Sequence, residues 1–243
     1  LGLMNYLGER CDEYMQREIK GVNVEDVQCD ELWSFVLCKN ATAKREKYVG
    51  GCGDCYCFTA IERNTKLILA WHMGKRNEPH TDQFVAKLAK ATVGKFHLTT
   101  DGWSCYPMSI WSHLEDRVDY GMLVKIYREG TPEERRRYSP AKIVESKRTR
   151  IFGLPEKAKI CTSHVERHNG SIRCFNKRMA RLTYCFSKRW ANHRAALSLL
   201  FAHYNFCRGH KTLRGETPAM AHGLANHAWT VRELLENVLS AQS

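Results

Sequence analysis

The sequence is short of several things. No apolar run approaches the roughly 18 to 20 residues a helix needs to span a bilayer, and the start has none of the layout of a secretion signal. That leads us to expect a soluble protein of the cytoplasm, with no membrane partner. No internal repeat and no low-complexity tract is present. Acidic residues are outnumbered, 26 against 38 lysines and arginines, for a net charge of +12. An excess of that sign points to a polyanionic partner, although non-enzymatic nucleic-acid binding would produce it as well. No serine or cysteine stands in a convincing nucleophile setting, so covalent catalysis is not the chemistry to expect.

What is present is enough for a substantial core: 243 residues, 43% of them hydrophobic, suit one large domain or a domain with appendages. The 11 cysteines are odd in number, and many lie singly in apolar segments, as do Cys29, Cys38, Cys185 and Cys207. Buried thiols in a reducing compartment fit better than disulfides. Cys52, Cys55 and Cys57 have the close spacing of a zinc half-site, but no second paired motif accompanies them, and free thiols in a hairpin are the simpler reading.

Apolar spacing predicts a helix over residues 3–19, then a strand over 24–38, a turn-linked pair of strands at 55–61 and 67–73, and a helix over 80–93 capped by Thr81. A short strand at 95–100 runs into Asp101 and Gly102, followed by a helix at 103–114 and a fifth strand at 118–126. Residues 128–159 break the pattern with Arg135, Arg136, Arg137, Lys142, Lys147, Arg148, Arg150, Lys157 and Lys159. They read equally as a solvated loop or a nucleic-acid surface. Helices follow at about 164–182 and 188–207, a short one after Pro218, and a last one capped by Thr230. This order implies an α/β, ribonuclease-H-like domain: a mixed five-strand sheet flanked by helices over 24–185, with a basic insertion at about 128–160 and a C-terminal helical extension over 186–243. Residues 1–23 read as a helix left from, or linking to, an upstream region, since the chain opens at Leu1 within a helical pattern.

In that arrangement the first and fourth strands are neighbours, which would bring Asp30 beside Asp101, and a later helix would supply Glu166. Carboxylates gathered in this way suit Mg²⁺ or Mn²⁺. Two such ions can activate a hydroxyl on one side of a phosphodiester and stabilise the departing oxygen on the other. Each residue also has a plainer reading. Ser163 to Glu166 fits a capping box, Asp30 could be a hydrogen-bonded strand acid, Asp101-Gly102 a turn, and Arg173 surface charge. Glu31 should point to the opposite sheet face and is not counted as a ligand. The aromatics of Tyr204 to Leu213 suit a core helix end, while Arg208, His210 and Lys211 could reach phosphate.

The runs Cys29-Asp30-Glu31-Leu32-Trp33-Ser34-Phe35, Thr99-Thr100-Asp101-Gly102-Trp103 and Val165-Glu166-Arg167-His168-Asn169 with Arg173 resemble the Asp-Asp-Glu transposases of the bacterial insertion sequence 1 family. Phe186-Ser187-Lys188, Tyr204 to Leu213 and Thr217-Pro218-Ala219 are similar to that family's tail, so the resemblance covers roughly residues 11–235. It implies metal-dependent cleavage at transposon ends and joining of the 3′ ends to target DNA, with Asp30, Asp101 and Glu166 holding two Mg²⁺ or Mn²⁺ ions. It also implies that Arg173 contacts end DNA, with Lys177, Arg178, Arg135 to Arg137, Arg208 and Lys211 as further candidates. Double-stranded DNA is then the partner, held by a homodimer or a larger synaptic assembly. An inactive DNA-binding derivative, or a nuclease or resolvase of the same fold, are the alternatives.

Overall fold

The computed structural model describes residues 1–48, 50–128 and 143–240. Helix α1 (Gly2–Glu18) leads through the two-residue strand β1 (Val22–Asn23) into β2 (Asp26–Val36). A short helix, α2 (Asn40–Arg45), precedes β3 (Gly53–Glu62), which turns back into β4 (Ile68–Gly74). Gly53 opens β3 with φ of +105°, and a Cβ there would lie 2.3 Å from Asn40 Oδ1, so the position requires glycine. These three long strands form the expected antiparallel meander. Helix α3 (Glu78–Ala91) is followed by β5 (Thr92–Val93), paired to β1, and β6 (Phe96–Asp101); α4 (Tyr106–Leu114) then leads into β7 (Val118–Tyr127).

The main sheet has six strands, in the order β4-β3-β2-β6-β7-β8, where β8 spans Ile143–Phe152. The pairs β2/β6 and β6/β7 are parallel and the others antiparallel, so the sheet is mixed and flanked by helices. The sixth strand corrects the expected count of five and places regular structure inside the basic insertion. Its sequence carries no strand periodicity because it is an exposed edge whose side chains meet water. Lys147, Arg148 and Arg150 also charge an edge that would otherwise invite pairing with other chains. Arg135, Arg136, Arg137 and Lys142 lie outside the described residues.

Three helix boundaries also differ from expectation. Asn77, not Thr81, caps α3, its side chain accepting from the His80 N–H, because Pro79 sits in the first turn and starts the helix earlier; Thr81 is buried within it. Helix α4 begins only at Tyr106, since Trp103 is held in a turn by Asp101. The helix carrying Glu166, α5 (Ser163–Phe175), stops short of Leu182. Asn176 is extended there and its side chain starts a 3₁₀ turn over Lys177–Met179 that buries Met179.

One face of the sheet packs α3 and α4 through Phe58, Phe84 and Tyr106. The other packs α6 (Trp190–Phe206), whose Phe201 meets Trp71 of β4 edge-on. Helix α1 lies against α6 closely enough that a Cβ on Gly8 would fall 2.6 Å from Ala195 Cα. The short helix α7 (Pro218–Ala221) is capped by Thr217, and α8 (Val231–Ser240) by a reciprocal Thr230–Glu233 pair. Residues of α1, α6 and α8 join those of the sheet in one continuous hydrophobic core.

Asn205 ties α6 to the sheet. Fully buried, its amide accepts from the Ile68 N–H and donates to the Ile68 carbonyl, both at 3.0 Å. Asn205→Leu leaves both backbone groups without partners and is expected to cost about 1–3 kcal/mol of stability, read as a lowered midpoint in urea unfolding.

Candidate metal centre

Strands β2 and β6 pair in parallel only from Asp26↔His97 to Gln28↔Thr99. Beyond that point β2 keeps its antiparallel ladder to β3, and β6 continues beside β7 as far as Asp101↔Leu123. The pairing of the two strands therefore ends near the carboxyl end of β6, the kind of place at which α/β sheets hold their ligands.

Alternation along β2 sends Gln28 and Asp30 towards α5. Gln28 Oε1 accepts the N–H groups of His164 at 3.0 Å and Val165 at 3.2 Å, caps the helix from the sheet, and does the work that Thr162 does not. Asp30 Oδ2 accepts from Asn169 Nδ2 at 2.8 Å and Oδ1 from the Glu31 N–H at 2.9 Å. Asp101 Oδ1 accepts the Trp103 N–H at 2.9 Å. Arg76, just beyond β4, bridges Glu31 Oε2 and Asp101 Oδ2, each at 3.1 Å, with its guanidinium 4.3 Å from the centre of the Trp103 ring.

Asp30, Glu31 and Asp101 each present an oxygen, and the three lie within 4.8 Å of one another. Among the described residues no other group of three or more His, Cys, Asp or Glu side chains comes so close. The meeting of Asp30 with Asp101 follows the expected strand order. Glu31 was not expected among them: alternation sets it on the α3/α4 face, beside Tyr106, yet where the ladder to β6 has ended one of its oxygens still comes within 4.8 Å of the other acids. The adjacency of two acids in the sequence was the available signal.

Glu166 stands beside this group but is not part of it. It is the most exposed of these acids, taken by Lys125 Nζ from β7 and by the Thr162 hydroxyl. The capping-box reading fails, because the first-turn amides of α5 go to Gln28. The Glu166 charge is still felt, since it raises the pKa values of both Asp30 and Asp101.

Burial, then the neighbouring Asp101, pushes the Asp30 carboxyl up to about 7, and the same two causes push Glu31 up to about 8. Burial also raises Asp101, against the pull of the Trp103 amide and Arg76. The buried Tyr106 hydroxyl on α4 bonds to the Glu31 side chain and, with Arg76, pulls its pKa back down. Hard oxygen donors held together at a cost in ionisation fit a divalent cation such as Mg²⁺ or Mn²⁺.

The expected DNA-binding residues are dispersed. Arg173 spends Nη1 on the Met179 carbonyl at 2.8 Å and Nη2 on that of Trp33 at 3.2 Å. It ties the segment after α5 to β2. Arg178 reaches Ser187 Oγ at 3.1 Å, Lys177 and Lys211 are exposed, and the Arg208 guanidinium lies 4.0 Å from the centre of the Phe175 ring. Cys55 contacts Ser34 Oγ, Cys57 lies near Thr59 Oγ1, and all 11 cysteines are free thiols. Sequence reasoning missed Gln28, Arg76 and Lys125, and left Asn169 without a role; nothing in their local patterns marks them.

The raised carboxyls give a signed pH dependence. Protonated Asp30 and Glu31 favour the folded state, so the stability they lend is complete below their ordinary values of 3.8 and 4.5 and is lost as pH rises through about 7 to 8. Without divalent cations, Asp30→Asn should lose less stability than the native protein between about pH 5 and about pH 8 in urea titrations. Mg²⁺ or Mn²⁺ should raise the native Tm more at the higher pH, where the carboxylates are ionised.

No protein-family profile matches this chain, and no curated protein matches it. Among solved structures, a piggyBac transposase in a synaptic complex with hairpin DNA is similar over 90% of this chain and 52% of that one, at 11% identity and a TM-score of 0.36. The chain thus spans about half the length of that neighbour.

Proposed function

We propose that this chain is a DNA transposase of the Asp-Asp-Glu kind, with a ribonuclease-H-like catalytic core, that cleaves at the ends of a mobile element and joins the freed 3′ ends to target DNA. The observation that carries the reading is the convergence of Asp30, Glu31 and Asp101 where the pairing of two parallel strands ends, with Glu166 alongside. The motifs shared with the insertion sequence 1 family supply the reaction class.

Asp30 and Asp101 are the ligands common to any arrangement of the site, and Glu166 or Glu31 completes the set. Two Mg²⁺ or Mn²⁺ ions bound there would activate the attacking hydroxyl and stabilise the departing oxygen of an in-line displacement. The chain's own part is to position. Asn169 and the Glu31 amide fix both oxygens of Asp30, the Trp103 amide fixes one of Asp101, and Arg76 and Lys125 hold the acids' charge. With cations neutralising the carboxylates, those two side chains would be free to face phosphate oxygens. Lys147, Arg148 and Arg150 on β8, with Lys177, Arg178 and Lys211, offer sequence-independent contacts to the DNA backbone. Pairing two ends calls for a dimer or a larger assembly, at work in the cytoplasm.

A second reading has one observation in its favour: the acids are already neutralised internally by Arg76 and Lys125, as they would be in a DNA-binding derivative without chemistry. Salt-sensitive DNA binding with no cleavage in Mn²⁺ would select it.

Transfer of a pre-cut end into a plasmid tests the first reading. Asp30→Asn and Asp101→Asn are each expected to lower the rate by about 10²-fold or more, since a metal ligand supports several kcal/mol of charge stabilisation. An Asp101→Asn protein as active as the native one would sink it. Glu31→Gln and Glu166→Gln, run side by side, assign the third acid to whichever loss matches that of Asp101→Asn.

A further inference from the structure

Helix α5 presents a different flank to two hollows that share a wall. The first, of about 310 Å³, lies between the β3–β4 turn, α5 and the segment after α6. Lys66, Arg167, Arg208 and Lys211 line it, together with His164 and His210, and no acidic side chain does. Glu62 and Asp26 act on Lys66 from outside this lining. Among the described residues Arg167, Arg208 and Lys211 form no ion pair. The second hollow, of about 450 Å³, is mostly apolar, with Ile172, Phe175, Leu200 and Tyr204 in its wall. His168, Ser171, Tyr204 and Arg208 face both.

The shared wall carries an unmet hydrogen-bonding demand. His168 is only 5% exposed and neither of its ring nitrogens has a partner; in the lining of the first hollow alone, His210 Nε2 is likewise buried and unpartnered. Burial lowers the His168 pKa to about 3 and the His210 pKa to about 4, and the neighbouring Arg208 adds to both shifts, so each ring is neutral and able to donate from one nitrogen and accept at the other. Polar atoms buried in this way ordinarily find partners. At the mouth, Phe175 is exposed and stacked under Arg208.

A cluster of cations without acids calls for an anion, and the adjoining apolar wall with an aromatic–guanidinium stack calls for a flat, weakly polar group attached to it. A free phosphate would use only the first hollow. A duplex presents phosphates but keeps its bases stacked away from the second. We propose that the paired hollows take one unpaired nucleotide of a DNA strand, its phosphate among Lys66, Arg167, Arg208 and Lys211 and its base against the Phe175–Arg208 stack. The choice of DNA rests on the function proposed above; the binding itself needs neither the carboxylates nor a metal.

Fluorescence anisotropy with a labelled oligothymidylate in EDTA tests this on the full chain, with an unlabelled blunt duplex of the same length as competitor. Phe175→Ala and Arg208→Ala should each weaken binding about tenfold, the scale of one base–aromatic stack. Phe175→Trp should retain binding, and Lys95→Ala, remote in the fold, should leave it unchanged, with circular dichroism confirming that each variant is folded. Asp101→Asn should bind as the native protein does, which separates this site from the catalytic reading: loss of strand transfer leaves it standing. Native affinity for the single strand in Phe175→Ala, or an equal loss of that variant's affinity for the duplex, overturns the proposal.

Discussion

Carboxylates that share a small, poorly solvated space repel one another, and the neighbourhood of Asp30, Glu31 and Asp101 is arranged around that repulsion. Protonation and internal cations are the two ways of relieving it without a metal, and both are visible. Asp30 and Glu31 hold their protons near neutrality, while Arg76 and Lys125 reach in from either side. A divalent ion is a third way, and it alone neutralises several acids at once from a single point. The same crowding that makes the apo protein pH-sensitive is therefore what would give such an ion its affinity.

The sheet makes the crowding possible at a tolerable cost. Helices cover it on both faces, so β3, and even β4 at the edge, are almost continuously buried, and the acids of the site come together only where the β2/β6 ladder has ended. Neutralising groups then arrive from separate elements: Arg76 after β4, Lys125 on β7, Asn169 on α5. No one segment carries the site. A change in any of these elements would be felt by the carboxylates through charge or orientation, without contact with a substrate.

Much of this was legible in the chain. Alternating and amphipathic runs marked α1, the meander, β6 and β7, and an acid inside a strand at Asp30 and another at the end of one at Asp101 stood out as misfits in apolar surroundings. The unread parts have physical reasons. Strand β8 faces water and so shows polar, basic residues with no period. Glu31 was set aside by applying alternation to a strand whose neighbour stops short. Gln28 is an ordinary polar residue in sequence, and becomes a helix cap only through a contact more than a hundred residues away. Arg173, at helical spacing from Glu166, looked like its companion, but the helix end it stands on needed its donors for the Trp33 and Met179 carbonyls.

The cap that Gln28 provides has a mechanical corollary. Two residues further along the same face of β2, Asp30 grips Asn169, so α5 is fastened to the strand at its first turn and again near its middle. Sliding the helix along its axis would break both fastenings together. Glu166, lying between them, is thereby denied any travel of its backbone, and its approach to the other acids is reduced to torsion about its own side-chain bonds, with Lys125 and Thr162 as the stops it must leave.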